Sequence, residues 1–238
     1  MNNTNHGLSE AIKTEEPVKS VNRRNFLRGA GMTTVAGALV MASCKSNTPD
    51  PIPANAVDLG SGDVGILNYA YALEQLEAAF YVQVISTPYT GMSDAEKSLL
   101  TDIRDHEVIH RDFFKAALGT NAIKDLEVNF SAIDFTSRAS VLGYAKVFED
   151  TGVSAYNGAG KLLKDVNYLL LAGKIVSVEG RHAAAIRDLL QPNSAFFAGD
   201  DVVDTTNGLD KATKPADILA AVQPFIKTPI SGANLPTA

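Results

Sequence analysis

The chain has 238 residues and a formal net charge of −6, with 45% hydrophobic and 20% charged side chains. That balance fits a folded domain with a substantial core and argues against a nucleic-acid partner, whose phosphates call for a basic surface. The single cysteine, Cys44, excludes a disulfide framework.

The segment Asn22-Arg-Arg-Asn-Phe-Leu-Arg28 precedes a small, mildly apolar run from Gly29 to Ser43, the layout of a twin-arginine export signal. The run is too short and too rich in Gly, Ala and Thr for a spanning helix. Met41-Ala-Ser-Cys44 reads as a lipoprotein cleavage box. Residues 1–43 are therefore expected to be a removable signal, with lipid on Cys44 anchoring the protein to a membrane on the periplasmic side of the envelope. Residues 44–62, carrying Pro49, Pro51 and Pro53, read as an exposed tether. Residues 1–43 hold five basic and three acidic side chains, so the exported remainder carries −8.

From Val64 to Ile85, Ile66, Ala70, Leu73, Phe80 and Val84 recur at helical spacing, with Asp63 as the expected N-cap. A loop with Pro88 and Gly91 leads to Ser93-Asp-Ala-Glu96, a capping box opening a second helix that Gly119 stops after Leu118. Residues 119–136 show no sustained period. Helical patterns then return over Ser137 to about Leu163 and Val166 to Leu190, with almost no connection between them. Two short links and one long central crossover predict an all-α, ferritin-like four-helix bundle over residues 63–190 rather than a simple up-down-up-down one. Residues 191–238 form an irregular C-terminal extension with one short helix, around Pro215–Ile226, expected to pack on the bundle.

Each inner stripe carries charge where a core should be. The second helix sets Glu107 and His110 between Ile103 and Phe114; the fourth sets Glu179 and His182 between Ile175 and Ile186. Residues three apart on a helix share a face and lie about 4.5 Å apart along its axis, so each Glu-x-x-His pair can converge on one ion. The third helix adds Glu149 between Ala145 and Val153, and the first adds Glu77 between Leu73 and Phe80, with Glu74 beside it. Four ionised carboxylates in an apolar core need positive charge, and no inward Lys or Arg faces them. Two divalent cations supply it while both histidines stay neutral. A Glu from each of two helices plus Glu-x-x-His from the other two is the donor set of di-iron and di-manganese carboxylate bundles.

The segments Leu73-Glu-Gln-Leu-Glu-Ala-Ala-Phe-Tyr81, Asp105-His-Glu-Val-Ile-His-Arg-Asp-Phe113, Phe148-Glu-Asp-Thr-Gly-Val-Ser-Ala-Tyr156 and Val178-Glu-Gly-Arg-His-Ala-Ala-Ala-Ile-Arg187 resemble the bacterial ferritin-like proteins exported by twin-arginine signals, relatives of plant desiccation-related proteins. The resemblance implies a dimetal centre. Periodicity does not choose between Glu74 and Glu77, but Ala-Ala-Phe-Tyr after Glu77 resembles the segment after the first-helix ligand in ferritin-like proteins. The expected ligands are therefore Glu77, Glu107, His110, Glu149, Glu179 and His182, with Glu74 as an outer carboxylate and the Tyr81 and Tyr156 hydroxyls bonded to carboxylates.

Oxygen donors with two imidazoles suit two Fe ions, with Mn as the alternative. The expected activity is redox chemistry on oxygen, peroxide or Fe(II), ferroxidase- or peroxidase-like, with the electron donor external because no four-cysteine module is present. A non-catalytic envelope stress or structural protein is the competing expectation. His106-Glu-Val-Ile-His110 also spells the zinc-protease motif, a reading that leaves Glu149, Glu179 and His182 unexplained. Homo-oligomerisation is left open, and nothing points to a storage cage.

Overall fold

The computed structural model describes residues 55–237; the segment read as an export signal and Cys44 lie outside them. Four long helices, α1 (Gly62–Ser86), α2 (Asp94–Leu118), α3 (Arg138–Gly160) and α4 (Val166–Leu190), form the bundle expected from the sequence. A short α5 (Pro215–Val222) follows, and two-residue strands β1 (Val57–Asp58) and β2 (Ile230–Ser231) pair in parallel. That pairing, together with the complete burial of Leu59, ends the exposed tether sooner than the expected Gly62.

Local chemistry sets the helix ends. The Ser93 hydroxyl accepts from the Glu96 amide while Glu96 Oε2 accepts from the Ser93 amide, so the capping box that opens α2 is complete. Gly119, at φ 54°, terminates α2 in a backbone conformation that side chains with a Cβ avoid. Ser137 and Asp165 cap α3 and α4. Ser61, rather than Asp63, occupies the N-cap position of α1. The Asp63 carboxylate instead accepts from the Lys164 and Asp165 amides at 2.9 and 2.8 Å, tying the tight α3–α4 turn to the start of α1.

The crossover between α2 and α3 runs the length of α1. Near the N-terminal end of α1, Asn68 accepts from the Ile123 amide and donates to the Asn121 carbonyl. Two turns on, Gln75 Oε1 accepts from the Leu126 amide, and beyond it Phe80 packs against Phe130 and Phe135. From Asn68 to Phe80 is about 18 Å of helix. Because the chain crosses that distance before α3 begins, α2 and α3 run parallel, which is why α1 and α3 face each other across one layer of inward side chains.

Burial on α1 is continuous from Gly65 to Ala78. The crossover covers the side that the other helices leave, so this helix has no solvent face over that stretch. The C-terminal extension closes the α3–α4 side. Arg187, fully buried, donates to both Asp150 oxygens at 2.8 Å, to Asp201, and to the Phe196 carbonyl. The Thr213 amide donates to the Ser154 carbonyl.

Candidate metal centre

Midway along the bundle the four helices deliver six side chains to two adjoining clusters. Glu74 of α1, Glu107 and His110 of α2 and Glu179 of α4 form the first; Glu149 of α3, Glu179 and His182 of α4 and Glu107 of α2 form the second. In each, one donor atom per residue lies within 4.8 Å of the others. Glu107 and Glu179 belong to both.

The two oxygens of each shared carboxylate divide between the clusters. His110 Nδ1 stands 3.5 Å from Glu74 Oε2, 3.8 Å from Glu107 Oε2 and 3.0 Å from Glu179 Oε1. On the other side His182 Nδ1 stands 2.8 Å from Glu107 Oε1, 3.5 Å from Glu149 Oε2 and 3.6 Å from Glu179 Oε2. These eight atoms are buried, and none has a hydrogen-bond partner. Even the contacts at 2.8 and 3.0 Å lack hydrogen-bond geometry, so the donors converge on common points rather than on one another. Unpaired buried polar atoms each cost stability, and eight gathered in two sets of four fit two cations.

The second oxygens of Glu149 and Glu74, outside these sets, are satisfied. Tyr81 of α1 donates to Glu149 Oε1 at 2.5 Å, and Tyr156 of α3 donates to Glu74 Oε1. The exchange is reciprocal. On each helix the tyrosine follows the glutamate by seven residues, about two turns, and reaches the glutamate of the opposite helix.

The expected preference for Glu77 is corrected here. Glu77 is buried but stands in neither cluster; its carboxylate faces Gly152 of α3, where a Cβ would lie 3.0 Å from Oε1. Glu74 takes the position that sequence assigned to Glu77. Continuous burial of α1 removed the polar face that would have told the two apart. One signal was present: Glu149 and Tyr156 are seven apart, a spacing matched on α1 by Glu74 and Tyr81 and not by Glu77. The structure brings the other five, Glu107, His110, Glu149, Glu179 and His182, together.

His106 is exposed, but its Nδ1 lies 2.9 Å from His182 Nε2 with the rings nearly coplanar. It belongs to neither cluster, so His106-Glu-Val-Ile-His110 does not assemble as a two-histidine zinc site. An imidazole on the far nitrogen of another fixes which nitrogen faces inward.

Protonation follows from burial and crowding. Burial, reinforced by the neighbouring carboxylates, pushes Glu77 well above the usual carboxylate range. Burial likewise raises Glu74 well above that range and Glu149 to about 8, against the nearby histidines. For Glu107 burial acts upward but His110 and His182 outweigh it, giving about 2. Burial would lower the two imidazoles, yet the carboxylates around them push both up to about 12. In the metal-free chain, protons on the histidines supply the charge the carboxylates demand.

A family model described as a ferritin-like domain matches residues 62–192. No curated protein matches the chain.

Proposed function

The chain belongs to the ferritin-like domain family, and from that premise we propose that it is a dimetal carboxylate protein of the cell envelope that carries out redox chemistry. The carrying observation is the division of Glu107 and Glu179: each turns one oxygen to His110 and Glu74 and the other to His182 and Glu149. Glu74, Glu107, Glu179 and His110 would hold one ion. Glu149, the same two bridging carboxylates and His182 would hold the other.

Four carboxylates balance two divalent cations. Glu77 adds a fifth, which its surroundings keep protonated and therefore neutral. With no thiolate present, carboxylates and imidazoles favour iron, or manganese with the same hard donors. Such ions, when bound, supply electrons one at a time to oxygen or peroxide, or accept them from Fe(II). The chain's own part is to bind, orient and keep dry. Tyr81 and Tyr156 fix the two terminal carboxylates, His106 fixes His182, and the aromatic layer of Phe80, Phe130, Phe135 and Phe148 closes one end.

Export and lipid anchoring on Cys44 rest on the twin-arginine segment and the cleavage box alone. No described helix is long and apolar enough to cross a membrane.

Elemental analysis of protein purified through its export route tests the reading, beside a Glu107→Ala/Glu179→Ala variant. Two Fe or Mn per chain, lost in the variant, with oxygen uptake on adding Fe(II), is the expected result. Correctly folded protein without bound metal would overturn it. Two tightly held ions with no turnover would turn the assignment to a structural envelope protein.

A further inference from the structure

Next to the first cluster lies an apolar cavity of about 30 Å³, open to the surface where Phe113 and Ala117 are exposed. Leu73 of α1 lines it beside Glu74, Phe113 and Phe114 line it one turn beyond His110, and Tyr156 and Ala159 line it from α3. Tyr156 forms the partition, since its ring walls the cavity while its hydroxyl holds Glu74. Across the centre, beside the second cluster, Phe80, Phe130, Phe135, Phe148 and Phe225 pack ring against ring. A second hollow on the α3–α4 side, beside Gly180 and Ala183, differs in kind, since the charged Asp150, Arg187 and Asp210 line it.

Size and lining restrict the occupant. A single water needs roughly 10–15 Å³ measured this way and two to four polar partners. The lining is aliphatic and aromatic except for three phenols: Tyr156 is committed to Glu74, Tyr168 is partly exposed, and Tyr69 is buried with a hydroxyl that has no partner. One buried donor does not hold a water, and a polar or charged substrate would find almost no partner on this lining. A diatomic gas fits, because it needs no hydrogen bonds and prefers apolar surroundings to water.

We propose that this cavity is a dioxygen site, from which oxygen reaches the centre on the Glu74–His110 side past Tyr156. The delivery half rests on the redox reading above; occupancy by the gas does not. Metal ions would then reach the centre from the wetter side, where His106 is exposed and His182 and His110 keep slight exposure.

Methyl NMR on the full chain, metal-free or loaded with diamagnetic Zn(II), tests occupancy under oxygen and under nitrogen. Paramagnetic dioxygen is expected to relax the methyls of Leu73 and Ala159 several-fold more than those of Leu76 and Ile103, which lie away from the cavity and are about as deeply buried. Equal effects at both sets would overturn the site. Ala172→Leu fills the cavity from a partly exposed position, and Ala159→Leu is the second variant should the first disturb folding. Each is expected to abolish the selective relaxation and to slow oxygen uptake by the Fe(II)-loaded chain several-fold at unchanged metal stoichiometry. Uptake at the unfilled rate would overturn delivery. A loaded wild-type chain that consumes no oxygen would refute the redox reading and delivery together, while relaxation still decides the site.

Discussion

Replacing Glu74 and Glu77 separately by Gln distinguishes a carboxylate proposed to hold metal from one that is merely buried three residues away. Glu74 Oε2 lies 3.5 Å from His110 Nδ1 and within 4.8 Å of every other donor of its cluster. Two unit charges about 4 Å apart in an effective dielectric of about 20 interact by about 4 kcal/mol; taken as a lower figure for a divalent ion, that is at least about a thousandfold in affinity. Glu74→Gln is therefore expected to retain one ion after gel filtration, with Zn(II) or Mn(II) titration showing one site weakened by at least that factor. Glu77→Gln replaces a carboxyl already held neutral, so both ions should remain. Its effect should fall on stability. A carboxyl raised in the folded state costs stability above the unfolded carboxylate range near pH 4.3. The metal-free Glu77→Gln chain should thus melt higher than wild type at pH 7 and no higher at pH 4. Loss of an ion in Glu77→Gln, with two retained in Glu74→Gln, would refute the geometry.

Other perturbations address the remaining parts of the centre and its support. His106→Ala frees the outer nitrogen of His182 and is expected to weaken the second ion 10–100-fold, roughly the effect of losing an outer-shell partner, with His106→Gln recovering part of it in the same titration. Raised folded-state values for both histidines and for Glu149 mean that the metal-free fold loses stability as pH rises, Glu149 from about 4.5 to 8 and the histidines from about 6.5 towards 12. Melting of chelated protein should accordingly fall between pH 6 and 9, while metal-loaded protein holds, since cations replace those protons; a rise in the chelated melt would contradict the charge assignment. Arg187→Met leaves Asp150 with only Lys146, 3.5 Å away, and releases the half-exposed Asp201, and is expected to cost about 3 kcal/mol, read as a drop of roughly 6–12 °C in Tm, with both ions still bound.

Sequence alone determined the bundle and most of its centre, because those features are written in local periodicity. Apolar stripes interrupted by Glu107, His110, Glu149, Glu179 and His182 place charge in the core without any knowledge of partners, and the unpatterned stretch after Gly119 marks the long crossover. What sequence could not reach depends on what covers each helix. The crossover, held along α1 by Asn68 and Gln75 and capped by Phe130 and Phe135, buries the last open side of that helix. With every face buried, amphipathicity no longer reports which carboxylate points at the other helices. Only the packing of α1 against α2 and α3 turned Glu74 toward His110 and Tyr156 and left Glu77 against Gly152. The pairing of His106 with His182 is likewise tertiary, since 76 residues separate them and only the antiparallel approach of α2 and α4 brings His106 Nδ1 within 2.9 Å of His182 Nε2.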